Sequence, residues 1–177
     1  MKTTSILAAA GVLLIAGSLA FGETGTVKVK APTGRAGVFV DDKYVGPAAN
    51  FGITRSYPVE AGEHTITVRE PRYESATSKV TVVAKKAVTV RVDMKRLPEP
   101  KGPFGRLRVE GAEKYAAVYV NGGYMGHVDE FDNFAQGLLL PAGEYTVKVV
   151  SVSGAPVAEQ KVDLKADGTV VVHAGKS

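Results

Sequence analysis

The chain has 177 residues, of which 45% are hydrophobic and 23% charged, with no Cys, no Trp and a formal net charge of +4 at pH 7. This balance excludes a disordered or fibrous chain. The lack of Cys excludes disulfides, thiolate nucleophiles and Cys-based metal sites. Seven Tyr, 20 Gly and 9 Pro, together with abundant Val and Thr, favour strands joined by tight turns.

Residues 1–22 have the layout of a secretory signal peptide. One lysine precedes an uninterrupted apolar run, residues 6–16, and small residues follow where a signal peptidase cleaves. The run is shorter than the roughly 20 residues that a membrane span needs. We therefore expect cleavage after Ala20 or Gly22, no integral membrane span afterwards, and export to the periplasm, the cell surface or the medium. An uncleaved N-terminal anchor is the alternative interpretation.

The remainder of the chain contains one pattern twice. Residues 25–29, 38–46 and 61–68 return at positions 105–109, 118–126 and 142–149, and residues 80–90 return at 162–172. The offset between the copies grows from 80 to 82, and it grows only where loops are expected. Four blocks in the same order indicate a duplication.

A proline-rich stretch separates the two copies. Three prolines within residues 97–103 exclude a central strand or a helix there and indicate a stiff linker. We predict a first domain at residues 23–97, a linker at 98–103 and a second domain at 104–177.

Each copy alternates apolar and polar residues with period two, which is typical of strands with one buried face. In chain order, the first copy's predicted buried positions are Val27, Val29, Val38, Val40, Ile66, Val68, Val88, Val90 and Val92. No helical stripe follows the apolar run. We predict six or seven short strands per copy, and an all-β fold of two tandem small antiparallel β-sandwich domains resembling immunoglobulin-like folds.

Two turns have a clear chemistry. Asn121-Gly122 lies between short apolar runs, and both residues tolerate the positive φ of a type I′ hairpin turn. Asp41-Asp42 holds the same place in the first copy.

The first copy resembles a PEGA domain. Residues 25–45, GTVKVKAPTGRAGVFVDDKYV, contain a strand, a Pro-x-Gly-Ala-like turn and a Val-x-Val-Asp strand, and residues 61–96 resemble the rest of the family pattern. The resemblance implies a small β-sandwich of exported or surface proteins, with an adhesion or envelope-interaction role and without known catalysis.

Some residues depart from that family pattern. Arg35 is inserted between Gly34 and Ala36, and Arg72 stands where the second turn normally has Gly. The second copy is more divergent, because it lacks the proline of the name-giving motif.

No catalytic constellation is evident. We find no nucleophile elbow, phosphate loop or paired-histidine metal motif. His64 corresponds to Tyr145 in the second copy, so that position favours packing or a rim role. We therefore expect no enzyme activity, no cofactor and no bound metal.

The residues with the best claim to a ligand lie in the loop at 127–134. His127, Asp129, Glu130 and Asp132 bring one imidazole and three carboxylates together, which is chemistry suited to a hard cation or another ligand. The alternative interpretation is a solvated acidic loop with a phenylalanine tucked into the core, since Phe131 corresponds to Phe51.

Tyr44 and Tyr124 occupy equivalent positions just after the hairpin turns. Exposed tyrosines there would stack on sugar rings or anchor a protein partner. The alternative is that they close the edge of each sandwich.

Charge differs between the copies. Residues 23–97 contain 13 basic and 8 acidic side chains, and residues 98–177 contain 8 and 10. The positive first copy suits anionic wall polymer, lipid headgroups or glycan, and the opposite signs favour mutual packing. The bases are scattered rather than interleaved with aromatics, which argues against nucleic acid.

The sequence thus predicts an exported, non-enzymatic binding or structural module of the cell envelope. Its expected partner is surface glycan, wall polymer or another envelope protein, reached through two linked sites. The alternative is an accessory subunit of a larger envelope assembly that uses free sheet edges for strand addition.

Overall fold

The computed structural model describes residues 22–52, 56–133 and 135–175. These residues form fourteen strands and two short 3-10 helices, without any α-helix. The all-β prediction is confirmed. The signal peptide predicted for residues 1–22 lies outside the described residues except for Gly22.

The first seven strands build two sheets. They are β1 (Thr24–Lys30), β2 (Gly37–Val40), β3 (Lys43–Pro47), β4 (Tyr57–Glu60), β5 (Gly62–Arg69), β6 (Ala76–Val82) and β7 (Ala87–Arg91). One sheet has the order β4-β1-β7 and the other has the order β3-β2-β5-β6. A 3-10 helix, Ala48–Phe51, follows β3.

The next seven strands repeat this arrangement. They are β8 (Phe104–Glu110), β9 (Ala117–Val120), β10 (Gly123–His127), β11 (Leu138–Pro141), β12 (Gly143–Val150), β13 (Pro156–Leu164) and β14 (Thr169–His173). Their sheets have the orders β11-β8-β14 and β10-β9-β12-β13, which are the orders of the first half with each strand replaced by its counterpart. A 3-10 helix, Val128–Glu130, follows β10.

One pairing in each half differs from the antiparallel prediction. β7 pairs with β1 in parallel, and β14 pairs with β8 in parallel. The other strand pairs are antiparallel. Alternation of apolar and polar residues specifies which face of a strand is buried, but it does not specify the direction of its neighbour. The parallel closing strand therefore left no mark that sequence analysis could detect.

Each half has its own core between its two sheets. Eight of the nine predicted positions of the first half are buried: Val27, Val29, Val38, Val40, Ile66, Val68, Val90 and Val92. Val88, the ninth, is half-buried against them. The second half buries Leu107, Val109, Val118, Val147, Leu164 and Val172, among others. Burial of one such side chain contributes about 1.5–3 kcal/mol, which explains how domains without disulfides hold together.

The predicted hairpin turns are confirmed. Asn121 and Gly122 have φ angles of 48° and 79°, and Asp41 and Asp42 have φ angles of 48° and 63°. Positive φ at both central positions defines the type I′ turn that suits the twist of a two-stranded hairpin.

Candidate functional site

The two halves meet through an aromatic cluster. Val38 and Val40 of β2 point into the first core, so Phe39 between them points to the opposite side of the sheet. Phe39, Tyr44, Ala117 and Tyr124 form a buried cluster distinct from both cores. We call these four residues the joint.

The geometry of the joint is that of packed aromatic rings. The Tyr124 ring centroid lies 5.6 Å from that of Phe39, with the rings nearly perpendicular, and 5.5 Å from that of Tyr44. Tyr119 adds an edge-on contact to Tyr124 at 5.9 Å. The guanidinium carbon of Arg69 lies 4.3 Å from the centre of the Phe39 ring. Such pairs contribute about 0.5–1.5 kcal/mol each beyond area burial.

Tyr44 and Tyr124, both predicted to bind ligand, are 4% and 6% exposed. Burial raises the pKa of both phenols above the ordinary value of 10. Each ring is covered by the opposite half of the chain rather than open to solvent. They lie on β3 and β10, which are edge strands of the two four-stranded sheets, and they pack between the two halves. Their ligand-binding role stays a prediction.

The loop after β10 divides into an inner and an outer part. His127 is 6% exposed, and its Nδ1 lies 2.7 Å from Oε1 of Glu130. Glu130 also forms an ion pair with Arg35 from the first half. Asp129 faces outward to Lys114, with Oδ1 3.3 Å from Nζ. The Asp132 side chain is exposed.

The structure therefore brings together His127 and Glu130 of the four predicted loop residues, and it separates Asp129 and Asp132 from them. Within residues 22–52, 56–133 and 135–175, no three His, Asp or Glu side chains gather in a way that could hold a metal ion. Phe131 is 2% exposed, as is its counterpart Phe51, which supports the core-packing interpretation of that position. Phe134 lies outside the described residues.

Arg35 is a contact that sequence analysis missed. It lies in the loop before β2, and its Nη2 reaches the Oε2 of Glu130 across the boundary between the halves. The signal was present, because Arg35 is the inserted residue that departs from the family pattern. Nothing in the sequence indicated that Glu130 would be its partner.

His64 has a structural role at the rim of the first half. Its Nδ1 lies 2.7 Å from Oδ2 of Asp41, and its Nε2 lies 2.9 Å from the Glu60 carbonyl oxygen. In the second half the Tyr145 hydroxyl donates to the Pro141 carbonyl oxygen at 2.7 Å. Both side chains thus reach the carbonyl four residues earlier, which explains why the position accepts either ring.

Residues 24–98 match the PEGA domain family. The first half of this chain, which that match covers, is similar to a PEGA domain. The first half comprises β1 to β7 and contributes Phe39 and Tyr44 to the joint. The PEGA domain family is not a known catalytic family. PEGA domains are typical of extracellular and periplasmic proteins, and the match suggests an envelope-associated module. In the described part of the chain, no helix is long and apolar enough to cross a membrane.

The second half repeats the strand order of the PEGA domain, and its membership in the family stays a prediction. Comparison with curated proteins found no match. Among solved structures, the chain is similar to "The Bacillus anthracis TIE protein" at 14% sequence identity and a TM-score of 0.26. The similarity covers 85% of this chain and 33% of that chain. A TM-score of this size does not establish a shared fold.

Proposed function

We propose that this protein is an exported, non-enzymatic binding or structural module of the cell envelope, contacting surface glycan, wall polymer or another envelope protein. The observation that carries the proposal is the match of residues 24–98 to the PEGA domain family.

The six predicted ligand-binding residues differ in how far contacts within the chain cover them. Tyr44, Tyr124 and Glu130 contact the opposite half of the chain, and His127 contacts Glu130, so contacts within the chain cover all four. Asp129 is half-exposed and Asp132 is exposed, so these two carboxylates are the members of the set that an outside partner reaches. We keep Asp129 and Asp132 as candidate contacts.

The test is retention of the purified mature chain, residues 23–177, on isolated cell-envelope material at low and high salt. Ribonuclease A, a small basic protein, is the control for non-specific attraction of positive charge. Retention above this control supports the proposal. Equal retention of both proteins, or none, overturns it.

One observation favours the alternative function as an accessory subunit. β13 is nine residues long and lies at the edge of its sheet, with Val157 42% exposed. An edge strand presents unpaired backbone groups to which another chain adds a strand.

Val157→Lys tests this alternative, because a charge on an edge strand opposes edge-to-edge pairing. If strand addition mediates envelope retention, V157K loses it while Val83→Lys, an exposed valine in a turn, does not. Equal retention of both variants overturns the strand-addition hypothesis.

A further inference from the structure

The outer face of the first three-stranded sheet carries a compact group of cations. β1 and β7 run parallel, with Lys28 opposite Thr89 and Lys30 opposite Arg91. Since Val27, Val29 and Val90 point into the core, alternation places Lys28, Lys30 and Arg91 on the outward face. We call these three residues the cationic face.

Lys30 and Arg91 place two like charges opposite each other at one end of the cationic face. Lys30 and Arg91 are both exposed, and neither has an ion-pair partner in the described part of the chain. The first acidic residue after Arg91 in the chain is Asp93, which lies beyond the end of β7. Like charges directly opposite each other on neighbouring strands destabilise a sheet. An anion bound across the pair removes that repulsion.

The second half provides an internal comparison at the same backbone positions. There Arg108, Glu110 and His173 replace Lys28, Lys30 and Arg91, and Glu110 is opposite His173 as Lys30 is opposite Arg91. Arg108 Nη2 donates to Glu110 Oε1 at 2.5 Å, and His173 Nδ1 lies 3.8 Å from Glu110 Oε2. The second face thus satisfies its own charges, whereas the first leaves Lys30 and Arg91 for an outside anion.

The form of the cationic face favours one kind of occupant. Residues two apart on a strand are about 6.6 Å apart, and facing strands are about 4.8 Å apart, so the cations form a short row rather than a single point. The large exposed apolar side chains in the described residues are Val83, Leu97, Leu139 and Val157, and none lies in β1, β4 or β7. A protein partner is usually anchored by buried aromatic or apolar residues. A charged polymer needs only the row of cations.

We propose that the cationic face binds a linear anionic polymer of the cell envelope, whose phosphate or carboxylate groups contact Lys30 and Arg91. This inference rests on the proposed envelope function and names the chemistry of its partner. The attraction is between exposed charges, so binding weakens as salt shortens the Debye length below about 10 Å.

The test exchanges the residues of the two halves. The variant Lys30→Glu with Arg91→His gives the first face the residues that the second half already carries. The matched control is Lys79→Glu with Lys161→His, which makes the same charge change at two exposed positions on β6 and β13. Circular dichroism melting checks that both variants fold.

Binding is measured with labelled polyphosphate and polygalacturonate as probes, with neutral dextran and phosphatidylglycerol vesicles beside them. We expect the wild type to bind the two polyanions in a salt-sensitive manner. The exchange variant is expected to bind at least tenfold more weakly, and the control variant less than threefold more weakly. The reverse exchange, Glu110→Lys with His173→Arg, gives the second half a facing pair of cations and is expected to raise polyanion binding above that of the wild type.

Other results overturn the inference. One is equal polyanion affinity of the exchange variant and the wild type; another is wild-type binding to vesicles but to neither soluble polyanion, which identifies a lipid surface as the occupant. If the folded exchange variant is retained on isolated envelope material as well as the wild type, this inference fails while the proposed function stands. If the wild type is not retained on envelope material, the proposed function is overturned instead. Binding of the purified polyanions then still tests whether the cationic face binds an anionic polymer.

Discussion

At the scale of single residues, Arg72, which departs from the family pattern, has a structural partner in Glu70. The Glu70 side chain is 2% exposed. Its Oε2 accepts the Arg72 backbone N–H at 2.8 Å, and its Oε1 accepts Arg72 Nε at 2.7 Å. The hydrogen bond to Glu70 raises the pKa of the Arg72 guanidinium. The sequence marked Arg72 as unusual, but a glutamate at the end of a strand gave no sign that it would be buried.

Arg72→Ala is expected to lower the free energy of unfolding by about 2 kcal/mol, because it leaves a buried carboxylate with one backbone donor. The matched control is Lys85→Ala, which breaks an exposed ion pair to Glu23 and is expected to cost under about 0.5 kcal/mol. Urea unfolding measures both. Equal losses would show that Arg72 does not stabilise Glu70.

A second residue-scale feature is the pH dependence of the Asp41–His64 pair. Two hydrogen bonds, from the Thr65 backbone N–H first and from His64, lower the pKa of Asp41, and the bond to Asp41 raises the pKa of His64. The stabilisation from Asp41 is present above its ordinary pKa of 3.8 and disappears as pH falls through the lowered value. That from His64 is present below 6.5 and disappears as pH rises through the raised value.

His64→Tyr places the second half's residue at this position and removes the titration. We expect wild type to lose stability relative to H64Y between pH 6 and pH 9, by at most about 1 kcal/mol because the pair is partly exposed. Thermal melts across this range provide the measurement, and an NMR titration of His64 checks the raised pKa. A stability difference that does not change with pH would contradict the assignment.

At the scale of elements, the strands and hairpins could be predicted from the sequence, but the close approach of backbone carbonyl oxygens to a glycine of β1 and of β8 could not. A Cβ on Gly25 would lie 2.4 Å from the Val83 carbonyl oxygen, and one on Gly105 would lie 2.4 Å from the Lys165 carbonyl oxygen. In both halves the first strand passes directly under the turn that leads to the parallel closing strand. The equivalence of Gly25 and Gly105 is visible in the sequence, but the turn above each glycine is not, because alternation of apolar and polar residues does not specify a parallel pairing.

Gly25→Ala and Gly105→Ala are each expected to destabilise their own half by about 2 kcal/mol, since backbone oxygens do not move aside cheaply. Gly52→Ala is the control, because among the described residues its Cβ would meet only the Ala49 carbonyl oxygen at 3.9 Å, and its φ is −70°. Hydrogen exchange assigns the loss to one half. Wild-type stability of both variants would show that the turns are not fixed where they lie.

At the scale of the whole molecule, the joint decides how the two halves are arranged. Alternation with Val38 and Val40 predicts that Phe39 lies on the outward side of its strand, and the two copies carry opposite net charges, yet nothing in the sequence indicates a common aromatic cluster. A lone outward phenylalanine is common on protein surfaces. Its partner, Tyr124, is 85 positions away, and Gly37 is what admits it: a Cβ there would lie 2.5 Å from Tyr124 Cζ.

Tyr124→Ala is expected to cost about 3 kcal/mol and to loosen the arrangement, because it removes ring contacts to Phe39, Tyr44 and Tyr119. Small-angle X-ray scattering is expected to show a larger radius of gyration. Tyr124→Phe keeps the ring and is expected to keep the wild-type scattering curve. If Y124A scatters like wild type, the aromatic cluster does not hold the halves together.

The aromatic contacts between the halves use the same places in both repeats. Phe39 of the joint corresponds to Tyr119, which packs against the joint, and Tyr44 corresponds to Tyr124. A patch that binds its own copy is saturated by one partner, as in a two-fold symmetric dimer. The chain is therefore a closed pair built within one polypeptide. A third repeat added to it would find no vacant copy of this patch, so longer arrays of such repeats would have to associate through a different surface.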